Sequence, residues 1–546
     1  MLQITPLGGL GQIGMNMMVI ETAQDALIID CGVMFPESKN LGVDLIIPDF
    51  SYLQKIKHKV RALLLTHGHE DHIGAVPFLL NHLQTKIYGS RFTLALLKHK
   101  LTEHGKSKTK LHVVQPHELI QAGCFKIEFL QVTHSIVDGM GIAIQTPMGT
   151  MIHTADFKLD DHPYHGRSIT LQKFKEYGKK GVLLLMSDST NVEREGKALS
   201  ETKIAHEIEK ICKTAKKKII FSVFATNIRR IEQMFEIALR LNRKVVLSGR
   251  SLETNVPIAI QEGFISKKAA SVLMDLDDLD ALEPKKTMII CTGSQAEERS
   301  ALARIAIREH RLIQVEKEDC VILSSRFIPG NEKAISDLLN NLCRQGADVY
   351  YDKVADVHVS GHAHASELRR MIGAVKPKYF LPVHGEYRHL VRHSKLAQGM
   401  KIKKENVFVC ENGEPLIFHD VNRVQKGQKM NLERVFVENE GLDDLKLDVI
   451  RNRKKLSFSG IVFVCLVRDK KTKKLLSPPY IWTMGVFDEV QHAAFLKKAH
   501  HYIFQVADQY AGPSTDFSEE VRLQTRRFFK RKTGKKPIVK PIVIDI

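Results

Sequence analysis

The sequence predicts an α/β protein: a mixed domain interrupted by an insert built on a parallel sheet, followed by a small α+β domain. Three observations predict this fold class. The chain has 546 residues and 43% hydrophobic residues, enough for several domains with cores of their own. Residues 201–350 alternate short apolar strands with helical periodicity, as in "KKIIFSVFA" followed by "NIRRIEQMFEIALRL". Histidine-rich β segments occur on both sides of that stretch.

The elements follow in chain order. Residues 1–200 carry short apolar runs such as "ALIID", "ALLLTH" and "TMIHTAD", with helical periodicity between them. The parallel-sheet pattern then occupies 201–350, and the β-rich style returns over 351–425 as the second part of the first domain. Residues 426–448 are polar and predict a linker, and 449–546 predict the C-terminal α+β domain.

Charge and cysteine usage restrict the classes of function. Lys and Arg number 81 against 62 Asp and Glu, a net charge of +19 that favours polyanionic partners. The eight cysteines are scattered without a CxxC pair, which argues against a disulfide framework and a cysteine zinc site. We find no basic leader followed by an apolar stretch, and no apolar segment of membrane-spanning length. These features predict a cytoplasmic protein without membrane contact.

The strongest motif is "LLLTHGHEDHIGAVPFLL", residues 63–80, where His67, His69, Asp71 and His72 follow an apolar strand. Alternate residues of an extended turn point the same way, so His67 and His69 can grip one ion. Asp71 and His72, one step further, can face a second ion. Imidazole and carboxylate ligands suit Zn²⁺ or Mn²⁺, and paired ions are a known solution for phosphate-ester hydrolysis.

More ligand types stand at the ends of other predicted strands: Asp30, His134, Asp156 and His384. Each alone has an ordinary alternative, because aspartate and histidine often end strands. Together with the motif they would complete two coordination spheres, with Asp156 as the bridging carboxylate.

With these residues the chain resembles the metallo-β-lactamase superfamily. Within that superfamily it resembles the β-CASP nucleases, and among these the bacterial ribonuclease J family. The HxHxDH pattern fits the superfamily broadly, including glyoxalase II, tRNase Z and lactonases. The narrower resemblance rests on "SDSTN" with Asp188, "HVSGHA" with His362, and "PVHGEYRH" with His384. The insert segment "TGSQAE" and the tail "RRFFKRKTGKKPIVKPIVIDI" are also in family style, although Ala296 stands where glycine is common.

The resemblance implies a metallo-β-lactamase αββα sandwich interrupted by a β-CASP insert, with two Zn²⁺, or Mn²⁺, per subunit. It implies one ion held by His67, His69 and His134, the other by Asp71, His72 and His384, with Asp156 between them. It assigns Asp30 and Asp188 to orienting histidine ligands, Asp71 to the nucleophile's proton, and His362 to the scissile phosphate; Asp71, His362 and Asp188 are the expected catalytic group.

Substrate contacts follow from the same resemblance. The segment His358, Val359, Ser360, Gly361 and His362 would present backbone amides and a hydroxyl to a phosphate, although "SG" is also an ordinary turn. Arg250 and Ser325 are weaker candidates for that pocket, and Arg250 could instead make an inter-domain ion pair. Basic stretches at 96–112, 212–218, 451–455 and 526–536 favour RNA.

The implied function is two-metal phosphodiester hydrolysis of single-stranded RNA in RNA decay and maturation. It combines 5′→3′ exonuclease activity that prefers 5′-monophosphate ends with endonuclease activity. Two alternatives stay open: a small-molecule thioesterase or lactonase on the same fold, and a non-catalytic RNA-binding subunit of a degradation complex. The resemblance also implies a homodimer or homotetramer formed through the C-terminal domain, and partners from an RNA-degradation complex.

Overall fold

The computed structural model describes residues 1–36, 40, 42–161, 164, 171–328, 330–438, 443–445, 447–510 and 516–546. Contacts divide the chain into two units: unit 1 comprises Met1–Met34 and Ile47–Arg434, and unit 2 comprises Phe35–Ile46 and Val435–Ile546. The predicted linker at 426–448 includes 439–442 and 446, which lie outside the described residues, and the domain boundaries stay predictions.

Strands dominate the part of the chain before the insert: β1 (Leu2–Gly8), β2 (Leu10–Gly11), β3 (Met17–Glu21), β4 (Ala26–Ile29), β5 (Leu45–Ile47), β6 (Val60–Leu64), β7 (Lys86–Gly89), β8 (Leu111–Val113), β9 (Leu119–Ala122), β10 (Phe125–Gln131), β11 (Met140–Thr146), β12 (Gly149–His153) and β13 (Leu184–Asp188). The α-helices of this part are α1 (Ser51–Ile56), α2 (Glu70–Ile73), α3 (Val76–Leu79), α4 (Arg91–Glu103) and α5 (Gln172–Lys180).

The insert alternates helices with strands: α6 (Glu201–Thr214), α7 (Ile228–Arg240), α8 (Arg250–Gln261), α9 (Lys267–Ala270), α10 (Ala301–Ala306) and α11 (Glu332–Arg344), with β14 (Ile219–Ser222), β15 (Lys244–Ser248), β16 (Leu273–Met274), β17 (Thr287–Cys291), β18 (Cys320–Leu323) and β19 (Asp348–Tyr350). These strands form one six-stranded sheet in the order β16-β15-β17-β14-β18-β19, and every pairing in it is parallel. Its strands are apolar runs such as "TMIIC" because helices can cover both faces of such a sheet.

After the insert the chain returns with α12 (Ala365–Val375), β20 (Tyr379–Val383), β21 (Gly385–Glu386), α13 (Tyr387–Gly399), β22 (Leu416–Phe418) and β23 (Val424–Lys426). β20 pairs in parallel with β13, so the last strand before the insert and the first long strand after it are neighbours. This pairing brings the two halves of the interrupted domain together.

The interrupted domain is a sandwich of two sheets. One has eight strands in the order β23-β22-β1-β3-β4-β6-β7-β8, and the other has six in the order β20-β13-β12-β11-β10-β9. A single buried cluster draws side chains from both sheets, including Ile4 and Leu64 from the first and Phe129 and Met186 from the second. α5 and α12 contribute to a second cluster on the outer face of the six-stranded sheet, so helices cover that side of the sandwich.

Unit 2 contains β24 (Val435–Glu438), β25 (Asp443–Leu445), α14 (Leu447–Ser459), β26 (Ile461–Arg468), β27 (Tyr480–Met484), α15 (Ala493–Asp508), α16 (Phe517–Thr533) and β28 (Ile538–Asp545). Its main sheet has the order β27-β26-β28, and α15 and α16 pack on one face around Phe529 and Val464. The predicted fold class, a sandwich with a parallel-sheet insert and an α+β C-terminal domain, is therefore confirmed. Within the described residues we find no helix that is both long and apolar enough to span a membrane.

Candidate metal centre

The signature loop, residues 65–72, follows the largely buried strand β6, and its last three residues belong to α2. Backbone hydrogen bonds hold it against the residue that precedes β3, from Asn16 N to Asp71 O (2.9 Å), and against the segment after β4, from Cys31 N to His72 O (2.8 Å). Gly32 permits this contact, because a Cβ there would lie 1.7 Å from Asp71 O. The loop therefore presents its histidines from a fixed backbone.

The first ligand group combines His67, His69, His134 and Asp156. The Nε2 atom of His67 lies 3.0 Å from His69 Nδ1, and His134 Nε2 lies 3.2 Å from the same atom. Asp156 Oδ2 lies 3.7 Å from His67 Nε2 and 3.8 Å from His134 Nε2. Four donor atoms thus converge on one point from different elements.

The second group combines Asp71, His72, His384 and the same Asp156. Asp156 Oδ2 lies 3.3 Å from His72 Nε2 and 3.6 Å from His384 Nε2. Asp71 Oδ2 lies 3.2 Å from His384 Nε2. The structure thus brings all seven predicted ligands together, with Asp156 Oδ2 between the two groups.

Contacts on the far side of the rings turn these nitrogens towards the centre. His134 Nδ1 donates to Gly361 O at 2.8 Å, which leaves a lone pair on Nε2. His72 Nδ1 lies 2.7 Å from Asp30 Oδ2, and His384 Nδ1 lies 2.7 Å from Thr190 Oγ1. Partners of this kind fix ring orientation and tautomer in metal sites.

The pKa values divide the cluster into a neutral and a charged half. Burial lowers the pKa of His69 to about 4 and that of His134 well below its usual value, which keeps both rings unprotonated, the form that ligates metals. Burial also acts on His72, but the carboxylates Asp156 and Asp71 outweigh it and raise its pKa to about 10. These carboxylates thus attract positive charge to the second group, as they would attract a divalent cation.

The donor set fits a divalent metal. Within each group every ligand atom lies within 4.8 Å of the others, and all are imidazole nitrogens or carboxylate oxygens. This mixture suits Zn²⁺ and Mn²⁺. Ring nitrogens that meet at 3.0–3.2 Å repel one another unless a cation or proton lies between them.

His362 and Asp188 lie beside the cluster. His362 Nδ1 lies 2.8 Å from Asp188 Oδ2, and Asp188 Oδ1 accepts hydrogen bonds from the Thr190 amide (2.9 Å) and hydroxyl (2.8 Å). The Asp188 side chain is 1% exposed and the His362 side chain 20% exposed. Asp188 therefore anchors a ring that solvent, and so a substrate, can reach.

The predicted phosphate segment packs tightly against the cluster. Asn191 Nδ2 donates to Ser360 Oγ at 2.6 Å and to His362 O at 3.1 Å. Gly361 has no room for a side chain, because a Cβ would lie 2.7 Å from the His134 ring. The "SG" pair is thus tied to the cluster by close packing.

The remaining substrate candidates lie in different surroundings. His358 Nδ1 donates to Ser324 O at 3.2 Å, and Val359 is buried. Arg250 is exposed at the first residue of α8, after the carboxyl end of β15. Ser325 is fully buried, and its hydroxyl donates to Ser294 O at 3.1 Å, so this geometry gives its predicted phosphate contact no support.

Sequence reasoning missed four polar residues that contact the predicted ones: Asn16, Thr66, Thr190 and Asn191. Asn16 Nδ2 lies 3.1 Å from His72 Nε2 and 3.3 Å from Asp71 Oδ2. Thr66 Oγ1 donates to Asp30 Oδ2 at 2.7 Å. Thr66 adjoins the motif and Thr190 and Asn191 stand in "SDSTN", so proximity to a motif was an available signal, whereas Asn16 had none.

Comparison with known families gives four matches along the chain. Residues 11–195 match the metallo-beta-lactamase superfamily, and 216–342 match the ribonuclease J beta-CASP domain. Residues 346–410 match a Zn-dependent metallo-hydrolase RNA specificity domain, and 448–546 match the ribonuclease J C-terminal domain.

Similar proteins carry the same family name over the whole chain. A protein named ribonuclease J from Helicobacter pylori (strain B128) is 36% identical over 99% of this chain and 78% of its own length. Ribonuclease J2 of Bacillus subtilis (strain 168) is 35% identical over 100% of this chain and 98% of its own length.

A solved structure of a protein of unknown function from Enterococcus faecalis V583 is similar in fold. It has a TM-score of 0.53 and 16% identity, and the match covers 76% of this chain and 99% of that one. The chain therefore belongs to the ribonuclease J family of the metallo-β-lactamase superfamily.

Proposed function

We propose that the chain, a metal-dependent ribonuclease by family, hydrolyses single-stranded RNA at the cluster centred on Asp156 with the help of two divalent ions. The observation that carries the proposal is the position of Asp156 Oδ2, which lies 3.3–3.8 Å from ring nitrogens of both ligand groups. A carboxylate in that position can bridge two ions, a recurring arrangement in phosphate-ester hydrolysis.

The residues that would hold the ions are His67, His69 and His134 on one side and Asp71, His72 and His384 on the other, with Asp156 shared. Zn²⁺ and Mn²⁺ both suit this donor set. When bound, such ions supply Lewis-acid activation of water and positive charge that faces the phosphate. Asp30 and Thr190 would fix the ring orientations of His72 and His384 through contacts with their Nδ1 atoms.

The chain's own groups would then complete the reaction. In phosphodiester hydrolysis a water oxygen bonds to phosphorus while the P–O3′ bond breaks, which yields a 5′-phosphate and a 3′-hydroxyl. Asp71, whose side chain is 28% exposed, would accept the proton of the attacking water. His362, held through Nδ1 by Asp188, would donate from Nε2 to the phosphate and stabilise charge in the transition state.

The segment from His358 to His362 is the proposed binding site for the phosphate next to the scissile one. Its backbone is fixed by Asn191 and by the contact between Gly361 O and His134 Nδ1. A phosphate held there, next to the metal cluster, would favour RNA with a 5′-monophosphate and thus 5′→3′ exonuclease action. Binding of an internal phosphate at the same place would permit endonuclease cleavage. Arg250 stays a weaker proposal for this pocket.

Self-association through unit 2 is a further part of the proposal. The face of its main sheet that α15 and α16 leave uncovered carries exposed apolar side chains: Tyr480 is 67% exposed, Met484 61%, Ile542 44% and Trp482 43%. Contiguous apolar surface of this kind marks interaction sites. A homodimer or homotetramer would cover this apolar face. The net charge of +19 separately favours RNA as the substrate of the metal cluster. A cytoplasmic location and partners in a degradation complex complete the proposal.

One experiment tests the reaction. The full chain is stripped with a chelator, resupplied with Mn²⁺ or Zn²⁺, and incubated with one RNA carrying a 5′-monophosphate, 5′-triphosphate or 5′-hydroxyl and a label in its first phosphodiester. Fast release of labelled mononucleotide from the monophosphate form alone is expected. Internal fragments from all three RNAs would limit the proposal to endonuclease action. Absence of cleavage with either metal, or hydrolysis of a thioester in its place, would overturn it.

A further inference from the structure

A pair of aromatic rings lies at the carboxyl edge of the insert sheet, outside the metal cluster. Phe327 follows strand β18 and Tyr351 follows its neighbour β19. Their ring centroids are 6.1 Å apart and their planes differ by only 12°. Both rings are partly exposed. Ligands of parallel sheets gather at this edge, so a partly exposed aromatic pair there suggests a binding surface.

Two cationic side chains flank the rings. Lys353 is exposed, and its Nζ lies 5.8 Å from the centroid of Phe327. Arg326 precedes Phe327 and is half-buried, and burial together with the Arg326 charge lowers the pKa of His364. The charge of Arg326 thus acts on His364, which stands two positions after His362. An aromatic surface flanked by cations fits a ligand with flat bases and a charged backbone.

A buried side chain fixes the loop that carries Phe327. Gln295, which is 3% exposed, donates from Nε2 to Arg326 O at 2.7 Å, and its Oε1 accepts from Ile328 N at 2.8 Å. One buried side chain therefore fixes the backbone on both sides of Phe327. A surface that is already ordered loses little conformational entropy when a ligand binds.

The same loop is joined to the proposed phosphate segment. Ser324 Oγ donates to Val357 O at 2.7 Å, and Ser324 O accepts from His358 Nδ1 at 3.2 Å. His358 and His362 are four positions apart, so at most about 14 Å of chain separates their Cα atoms. The loop that carries Phe327 is therefore bonded to the segment that leads to His362, and both belong to unit 1.

We propose that Arg326, Phe327, Tyr351 and Lys353 form a stacking platform that binds a base and an adjoining phosphate of single-stranded RNA, beyond the nucleotides at the metal cluster. The inference rests on the proposed ribonuclease function and adds a second contact point on the same strand. Because every base has an aromatic face, the platform binds RNA without requiring a sequence, and purines stack more strongly on it than pyrimidines.

The test measures RNA affinity as a function of length. The full chain carrying Asp156→Asn, which prevents cleavage, is titrated with a dinucleotide and with a dodecanucleotide of adenylate or uridylate. Stacking on an aromatic ring predicts that Phe327→Ala and Tyr351→Ala each weaken dodecanucleotide binding about 5- to 100-fold. Dinucleotide binding is expected to weaken less, because so short an RNA can bind at the cluster without a simultaneous contact with the platform.

Further variants separate stacking from charge and from damage to the fold. Phe327→Trp retains a ring and keeps the affinity, and Lys353→Ala reduces the salt dependence of binding by about 0.7 in log–log slope. Phe458→Ala, which removes a 73% exposed aromatic ring of unit 2, serves as the matched control and leaves affinity unchanged.

Two results would overturn the platform: full dodecanucleotide affinity in both alanine variants, or an equal loss for the dinucleotide and the dodecanucleotide. Cleavage by the chain without Asp156→Asn distinguishes this failure from that of the proposed function. If the platform alone is wrong, that chain still cleaves RNA; if it neither cleaves nor binds any RNA, both proposals fall.

Discussion

The Nδ1 atom of His362 and the Oδ2 atom of Asp188 lie 2.8 Å apart, although the two residues are 174 positions apart in the chain. The insert separates them in sequence, and the parallel pairing of β13 with β20 brings the flanks of the insert together again. A buried carboxylate on Nδ1 orients the ring and stabilises its protonated form. The ring of His362 is thereby prepared to act as a hydrogen-bond donor at the edge of the cluster.

Replacement of His362 by alanine should slow RNA cleavage about 100- to 1,000-fold, the usual cost of one transition-state donor. Asp188→Asn should slow cleavage by a smaller factor, because the ring stays present but less firmly held. Cleavage rates at saturating Mn²⁺ measure both effects. As a control, Asp161→Asn removes an exposed carboxylate that pairs with Lys197 and Arg370 and should leave the rate unchanged. An unaltered rate in His362→Ala would exclude the assigned role.

Metal affinity should depend on Asp30, although it is not among the predicted ligands. Its Oδ2 lies 2.7 Å from His72 Nδ1 and also accepts the Thr66 hydroxyl at 2.7 Å. Loss of such a partner typically weakens metal binding 10- to 100-fold, so about that reduction is expected for Asp30→Asn. Competition with a fluorescent chelator measures the affinity, with Asp161→Asn again as the control. Equal affinities in the two variants would contradict the orienting role.

Gly361→Ala should disturb the first ligand group. A Cβ at Gly361 would lie 2.7 Å from His134 Nδ1 and 2.9 Å from Ser135 N, so the imidazole must move. Such a displacement should lower the metal content of the purified chain and slow cleavage at least tenfold, because ligand geometry is strict. Gly399→Ala is the matched control, since nothing lies within 4 Å of a Cβ there. Normal metal content in Gly361→Ala would show that the segment can shift without displacing the His134 ligand, which would contradict this prediction.

Protonation of Glu201 at acid pH should lower the free energy of unfolding of unit 1. The Glu201 carboxylate accepts a hydrogen bond from Lys158 Nζ at 2.6 Å and pairs with Arg230, and all three side chains are buried. Burial raises the pKa of Glu201, but the two cations outweigh burial and lower it to about 2. Because the pKa of glutamate in an unfolded chain is about 4.3, the folded chain binds this proton less tightly than the unfolded chain does.

The resulting stabilisation, roughly 3 kcal/mol, is complete above about pH 4.5 and is lost as the pH falls towards 2. Glu201→Gln should therefore unfold at lower urea concentration than the original chain at pH 7, and the difference should shrink as the pH falls from about 4.5 towards 2. Glu195→Gln, which removes an exposed partner of Arg369, should show no such difference at any pH. A gap that is independent of pH would mean that Glu201 acts by packing alone.

The sequence alone was sufficient for the fold class and for the set of residues that meet at the centre. His67, His69 and His72 stand within one short segment, and alternation along a turn is a local property. Asp156 and His384 were found because polar residues at the ends of buried strands share one edge of a sheet. Their roles as ligands stay proposals until an ion is measured.

Long-range partners were beyond sequence reasoning. Asn16 contacts Asp71 across 55 positions, and Asn191 contacts Ser360 across 169, and neither pair has a spacing that a local pattern would reveal. Within unit 2, the same holds for the backbone bond from Asp44 N to Val437 O at 2.9 Å. By contrast, the strain at Ala296 has a local reason, because its φ of 58° lies in the left-handed region, where glycine is unstrained.

We expect a single cluster centred on Asp156 to bind two ions and to cleave RNA. The most direct test measures metal per chain by mass spectrometry, with cleavage and RNA affinity, for the original chain and for Asp156→Asn. We expect about two ions per original chain and fewer than one in the variant. In the variant, cleavage should fall more than about a thousandfold, with RNA affinity nearly unchanged. Two retained ions and undiminished cleavage in Asp156→Asn would contradict it.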